Sequence, residues 1–158
     1  MKNLLCAIGT AVIVVLDILM KQWVIAHVKG QNDVPLLPGI VHITYTENTG
    51  AAFGILQNAR WIFVALGLIV FAAIIWTVFI KKMFGNNPVL LIAATLIFGG
   101  ALGNWIDRAF SGYVVDMFEL EFMRFGIFNV ADAALTVGAI TACVWLLVCY
   151  RDDKSKSK

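Results

Sequence analysis

Charged residues are scarce in this sequence. Only 14% of its 158 residues are Asp, Glu, Lys or Arg, whereas a soluble globular domain has about 25%. Three cysteines are too few for a small secreted module held together by disulfides. The net charge of +2 is too small to indicate a nucleic-acid partner. These shortages exclude a disulfide-stapled module and argue against a protein that binds DNA or RNA.

Hydrophobic residues are correspondingly abundant. They make up 61% of the chain, against about 45–50% in a typical domain, and the mean hydropathy is +0.87. The core of so short a chain cannot bury that much apolar surface, so lipid must cover part of it. This composition excludes a soluble enzyme and a disordered regulator, and the length predicts a single domain over residues 1–150.

Four segments are long enough to cross a membrane. A bilayer core of about 30 Å requires roughly 20 apolar residues in a helix, and the segments lie at about 4–28, 61–80, 88–106 and 131–150. The longer connections, about 29–60 and 107–130, contain stretches in which apolar and polar residues alternate, which predicts strands. A short interfacial helix is predicted over 51–56. The predicted fold is therefore an all-α integral membrane protein with four transmembrane helices, a small extracytoplasmic β-sheet that forms a cradle, and that interfacial helix.

The basic residues predict an orientation. Of the twelve Lys and Arg residues, seven lie at the same end of the predicted helices: Lys2, Lys81, Lys82, Arg151, Lys154, Lys156 and Lys158. An excess of basic residues marks the cytoplasmic face of a membrane protein. Both termini are therefore expected in the cytoplasm, with a disordered tail over 151–158, and the two longer connections are expected to face outward.

An acid and a base lie within the first predicted helix. Asp17 and Lys21 are four residues apart and share one helix face, so they can form an ion pair. Placing an ionisable group at membrane depth costs free energy, so the pair is expected to have a structural or functional role. One interpretation is a self-neutralising pair that fixes helix packing. The other is the coupling carboxylate of a small proton-coupled transporter, although the adjacent lysine would keep that carboxylate ionised.

Two further aspartates point to catalysis. Asp116 lies in an apolar predicted strand with no local partner, and Asp132 begins the fourth helix, where Asn129 and Asp132 also resemble a capping box. The connection between these aspartates begins and ends at the outer interface, so both can meet there. Two carboxylates that lie close together share one proton. Such a pair can activate water and polarise a peptide carbonyl without a metal or a cofactor.

Other mechanisms lack their residues in this sequence. It has no His-Glu-x-x-His zinc motif and no Gly-x-Ser-x-Gly nucleophile motif. The alternatives that remain are a small proton-coupled transporter and a non-catalytic scaffold subunit. The position of the carboxylates distinguishes a transporter from a peptidase. A transporter needs its carboxylate near the midplane of the membrane, where Asp17 lies, whereas a peptidase needs two carboxylates at one edge.

Five short motifs, in order from Leu16 onward, resemble the lipoprotein signal peptidase (signal peptidase II) family. They are Leu16-Asp17 with Lys21, Glu47-Asn48-Thr49-Gly50-Ala51-Ala52-Phe53, Gly99-Gly100-Ala101-Leu102-Gly103-Asn104 with Asp107-Arg108, Gly112-Tyr113-Val114-Val115-Asp116, and Phe128-Asn129-Val130-Ala131-Asp132. Members of that family are aspartyl peptidases of the bacterial cytoplasmic (inner) membrane. They cut signal peptides from prolipoproteins that carry a diacylglyceryl group.

The resemblance implies roles for individual residues. Asp116 and Asp132 correspond to the catalytic pair, and Asp17 and Lys21 to a structural pair. The polar residues that orient the catalytic pair or bind substrate correspond to Asn48, Asn104, Arg108 and Asn129. The implied partners are a lipidated prolipoprotein and membrane lipid, and the implied inhibitor is the cyclic peptide globomycin. We expect the protein to work as a monomer, without a metal or other cofactor.

Overall fold

A computed structural model of the chain describes residues 2–50, 55–81 and 87–156. The four helices are α1 (Lys2–His27), α2 (Arg60–Ile75), α3 (Pro88–Phe110) and α4 (Val130–Lys156), and α2 continues as a π-helical turn over Trp76–Ile80. The three strands are β1 (Val34–Leu37), β2 (Val41–Asn48) and β3 (Val114–Leu120). The predicted combination of four helices and one small sheet is confirmed.

The helices differ in their capacity to cross a membrane. Three are long and apolar enough to do so, namely α1, α3 and the Val130–Val148 part of α4. The shorter apolar helix α2 and its π-helical turn together cover the segment predicted over 61–80. At the other end of the chain, α4 continues through Lys156, where we predicted a disordered tail. Lys and Arg are good helix formers, so local propensity favours this continuation.

Helix α3 lies at the centre of the bundle and packs against the other three helices. A β-carbon at Gly103 would lie 2.8 Å from the Asp17 carboxylate on α1 and 3.3 Å from the Ala131 side chain on α4. Glycine is therefore needed where these three helices meet, as is usual for close helix packing in membranes. On another face of α3, the Trp105 indole donates a hydrogen bond to the Val64 carbonyl of α2 at 3.0 Å.

The sheet covers one end of the bundle. Its strands are antiparallel in the order β1-β2-β3, and its buried side chains pack against the end of α1. The shared core consists of Val24, Val28, Ile43, Val115 and Met117. Of the interfacial helix predicted over 51–56, residues 51–54 lie outside the described residues, and residues 55–58 form a turn. The sheet therefore lies at the end of the bundle where α1 and α3 end and α4 begins.

Candidate active site

Asp116 lies on β3 and is almost completely buried, with 3% of its surface exposed. The Asn48 side-chain amide donates to its Oδ2 at 2.9 Å, and the Asn129 side-chain amide donates to its Oδ1 at 2.7 Å. Both partners are neutral. The carboxyl group is thus held in place by amide donors on both oxygens and not by an adjacent cation.

A β-bulge brings Asn48 to this position. The strand register pairs Ile43 with Phe118 but Thr46 with Asp116, so β2 contains one extra residue between these pairs. Side chains alternate between the faces of a strand, and an extra residue reverses which of them share a face with the partner strand. Without the bulge, Glu47 would share the face of Asp116. With it, Asn48 becomes the diagonal neighbour of Asp116 on that face.

Asp132 lies in the first turn of α4. Its backbone N–H donates to the Asn129 side-chain oxygen at 2.8 Å, and its Oδ2 accepts from the Asn129 backbone N–H at 3.3 Å. This reciprocal arrangement is a capping box with Asn129 as the N-cap residue. The second carboxylate oxygen, Oδ1, accepts from the Asn104 side-chain amide at 2.7 Å. Asp132 therefore caps the helix with one oxygen and contacts α3 with the other.

Asn129 connects the two aspartates, which we call the aspartate pair. Its side chain is fully buried and donates to Asp116, while its backbone N–H donates to Asp132. The same side-chain amide lies 3.1 Å from the Asn104 side-chain oxygen. Asp116 and Asp132 thus belong to one hydrogen-bond network, although they lie on different elements.

Arg108, near the end of α3, is the cation beside this network. Its guanidinium donates to the Gly50 carbonyl at 2.8 Å and to the Asn104 carbonyl at 3.3 Å, and it lies 4.9 Å above the Phe63 ring. Within the part of the chain that the structure describes, its Nε has no hydrogen-bond partner. Arg108 thereby holds Gly50, just after β2, against α3.

These groups line one cavity of about 480 Å³. Its polar wall is formed by Asn48, Asn104, Arg108, Asp116 and Asp132. Its other walls are mainly apolar and come from residues 125–128 and from the first turns of α4, including Leu135 and Val137. A cavity with a few converging polar groups among apolar walls is typical of a ligand-binding or active site.

Burial, together with the negative charge of Asp132, raises the pKa of Asp116 to about 6. The hydrogen bonds from Asn48 and Asn129 lower this pKa, but they only partly offset the burial. A carboxyl group with a pKa near 6 exchanges its proton near neutral pH, which suits a general acid or base.

A second polar cluster lies deeper between the helices, and we call its members Asp17, Lys21 and Asp107 the lysine cluster. The Lys21 ammonium lies 2.6 Å from Asp17 and 2.7 Å from Asp107. The other Asp17 oxygen accepts from the Ala131 backbone N–H at the start of α4, at 2.9 Å. These contacts tie α1 to α3 and α4. They also disfavour the transporter alternative, because proton coupling requires a carboxylate that is free to take up a proton.

Sequence reasoning missed two contributors to this region. It did not find Asp107 as the second partner of Lys21, or the Gly50 carbonyl as a partner of Arg108. A third acid at the same end of the bundle was a usable signal for Asp107. A backbone carbonyl such as that of Gly50 leaves no signal in the side-chain pattern.

The sequence leads us to expect no metal cofactor at this site. Over residues 2–50, 55–81 and 87–156, no group of three or more His, Cys, Asp or Glu side chains is arranged to hold a metal ion. The groups that contact the two carboxyl groups are N–H donors of Asn48, Asn104 and Asn129, and an N–H donor is not a metal ligand.

Apolar helices with a carboxyl-lined cavity at one end define the class of a membrane-embedded enzyme. The sequence model of the family described as signal peptidase (SPase) II matches residues 9–148. A lipoprotein signal peptidase of Streptococcus agalactiae serotype Ia is 42% identical over 146 residues, which cover 92% of this chain and 94% of that protein. One of Streptococcus pyogenes serotype M6 is 41% identical over 158 residues, covering 96% of this chain and 100% of that protein.

A solved structure described as that of a bacterial membrane enzyme is also similar. It superimposes with a TM-score of 0.81 at 30% identity, covering 97% of this chain and 91% of that one. The chain belongs to the signal peptidase II family, which confirms the resemblance found in its motifs. It is a multi-pass membrane protein and a protease of the signal peptidase class.

Proposed function

We propose that this protein is an aspartyl endopeptidase that removes signal peptides from diacylglyceryl-modified bacterial prolipoproteins. The relatives named lipoprotein signal peptidase support the substrate class. The observation that carries the mechanism is that Asp116 and Asp132 line one cavity and belong to one network through Asn129. The proposed site faces outward from the cytoplasmic membrane, as the distribution of basic residues predicts.

The aspartate pair supplies both the base and the acid. Between them the two carboxyl groups hold one proton. The ionised aspartate accepts a proton from water as the water oxygen bonds to the scissile carbonyl carbon, and the protonated one donates its proton to the carbonyl oxygen. The resulting diol then collapses as the C–N bond breaks. The aspartate that took the proton from water gives it to the leaving nitrogen, the other aspartate accepts the proton of a diol hydroxyl, and the pair again holds one proton. Asn48, Asn104 and Asn129 hold the carboxyl oxygens in position.

The walls of the cavity suit the two ends of this substrate. The apolar side chains of α4 and of residues 125–128 can contact the signal peptide and the acyl chains. The polar wall meets the scissile amide, and the Arg108 guanidinium places a positive charge in that wall. The sheet serves as a cradle over this opening, where it limits the access of bulk water. A cyclic peptide such as globomycin would compete for the same cavity.

The test is a gel-shift assay on a purified, diacylglyceryl-modified precursor in detergent. We expect Asp116→Asn and Asp132→Asn each to abolish cleavage while the proteins elute and melt as folded molecules. Asp33→Asn is the matched control, because the Asp33 side chain is 52% exposed and lies outside the cavity, and it is expected to retain activity. Turnover in either aspartate-pair variant would refute the mechanism. Equal cleavage of the unlipidated precursor would refute the substrate class.

A further inference from the structure

Lys21 has a third contact that its ion pairs do not explain. Besides Asp17 and Asp107, its ammonium donates to the Asn104 side-chain oxygen at 3.3 Å. Lys21 is 2% exposed, so this interaction takes place away from water. Two carboxylates already neutralise the ammonium. An ion pair that only held the helices together would not need the further contact to Asn104, whose amide also contacts the aspartate pair.

Asn104 transmits this contact to Asp132. Its side-chain oxygen accepts from Lys21 and from Asn129, the latter at 3.1 Å, and its side-chain nitrogen donates to Asp132 at 2.7 Å. Two donors on one side and an acceptor on the other leave the amide a single satisfactory orientation. An ammonium at the oxygen end polarises the amide, so that its N–H donates more strongly to the carboxylate.

We propose that Lys21 is a positioning residue for hydrolysis, which acts through Asn104 to set the charge of the Asp116–Asp132 pair. This inference rests on the proposed function of that pair. The charge balance around it includes Asp17 on α1, Asp107 and Arg108 on α3, and the two aspartates themselves. The positive charge of Lys21 is among the influences that lower the pKa of Asp116 against the effect of burial.

The experiment compares pH–rate profiles of three variants with that of the wild-type protein. Lys21→Met removes the positive charge, so the alkaline limb of kcat/KM, on which the pair loses its shared proton, is expected to move to higher pH by about one unit. Asp17→Asn and Asp107→Asn each remove a negative charge and leave Lys21 paired with the other acid. Both are expected to move the limb to lower pH, by up to about one unit. The amide introduced by Asp17→Asn would still offer an oxygen to the Ala131 N–H.

A positioning role for Lys21 predicts that Lys21→Met and the two carboxylate variants move the limb in opposite directions. A purely structural role would change the yield and the melting temperature but leave the limb at the same pH. Asp33→Asn removes a negative charge at an exposed position and is expected to leave the limb unchanged. If Lys21→Met does not fold, the two carboxylate variants decide the question. Unshifted limbs in folded variants overturn the role of Lys21, and the proposed function then still stands or falls with Asp116→Asn.

Discussion

The aspartate pair and the lysine cluster lie side by side at one end of the bundle, and both contain two acids. In the lysine cluster, Asp17 and Asp107 lie within 2.7 Å of one ammonium. In the aspartate pair, each carboxyl group is held by side-chain amides. The chemistry of a buried acid therefore depends on whether its partner carries a charge.

The two partner types have different energetic consequences. An ammonium in direct contact offsets much of the cost of burying a carboxylate, so such an acid can hold helices together. Amide donors offset less, and Asp116 accordingly has a pKa of about 6, above its ordinary value of 3.8. This shift corresponds to about 3 kcal/mol against folding at neutral pH. Asp116 and Asp132 also line a cavity, through which water and the proposed substrate would reach them.

Apart from the two aspartates themselves, the largest effect is expected from Asn129. Asn129→Ala removes the side-chain amide that donates to Asp116 and the oxygen that accepts from the Asp132 backbone N–H, while the backbone N–H that donates to the Asp132 carboxylate remains. A hydrogen bond to a charged group contributes roughly 1.5–3 kcal/mol, so kcat/KM should fall by about 10- to 100-fold. Asn48 contacts only Asp116, and Asn48→Ala should therefore lower kcat/KM less. The measurement is cleavage of the lipidated precursor at about pH 5, below the Asp116 pKa, where the pair holds its shared proton.

Asn129→Ser is the matched control for the helix cap. Serine is a good N-cap residue but too short to reach Asp116, so the melting temperature should recover while the rate remains low. A rate that recovers together with the melting temperature would mean that Asn129 acts only as a cap.

The next effect concerns pH. Because burial and the negative charge of Asp132 raise the pKa of Asp116 to about 6, the pair takes up its shared proton as the pH falls through this value and loses its acid as the pH rises above it. We expect kcat/KM to be highest below about pH 6 and to fall about tenfold per unit above it. Measurements from about pH 4.5 to 8 check this prediction. A flat profile, or a rate that rises up to about pH 8, would contradict it.

A smaller effect on activity is expected in the lysine cluster. Asp17→Asn breaks a buried ion pair but leaves Lys21 bound to Asp107, so we expect a stability loss of roughly 1–3 kcal/mol, below the usual cost of an unpaired buried charge. At about pH 5, below the alkaline limb, kcat/KM should stay within about threefold, since no group of the aspartate pair is removed. Thermal unfolding in detergent and the precursor assay measure the two effects. Loss of turnover in a stably folded variant would show that the two regions are not separable.

The helices could be predicted from the sequence because long apolar runs leave few other structures. The predicted span over 88–106 falls within α3, which starts at the predicted Pro88 but continues to Phe110. The sequence did not predict β1, because Val34–Leu37 contains Pro35 and is exposed along its whole length. An exposed edge strand of this kind shows no alternation between polar and apolar residues.

The site was harder to predict, because its geometry depends on contacts between distant elements. The alternation over 40–45 predicts a regular strand, and only the register of β2 against β3 shows the bulge that turns Asn48 toward Asp116. Likewise, Asp107 lies beside Arg108 in sequence, but its short ion pair is with Lys21. Successive residues on a helix point in different directions, and the packing of α1 against α3 decides which charge is near.

The smallest expected effect is that of a chelator, which distinguishes the aspartate pair from a carboxylate metal site. In the proposed mechanism one aspartate is the base and the other the acid, so no step needs a Lewis acid. Incubation with EDTA, followed by removal of free metal, should leave kcat/KM unchanged in the precursor assay. If activity were lost and zinc restored it, the aspartates would be metal ligands. The distinction drawn between the two regions would then concern which carboxylates bind a metal ion and not which share a proton.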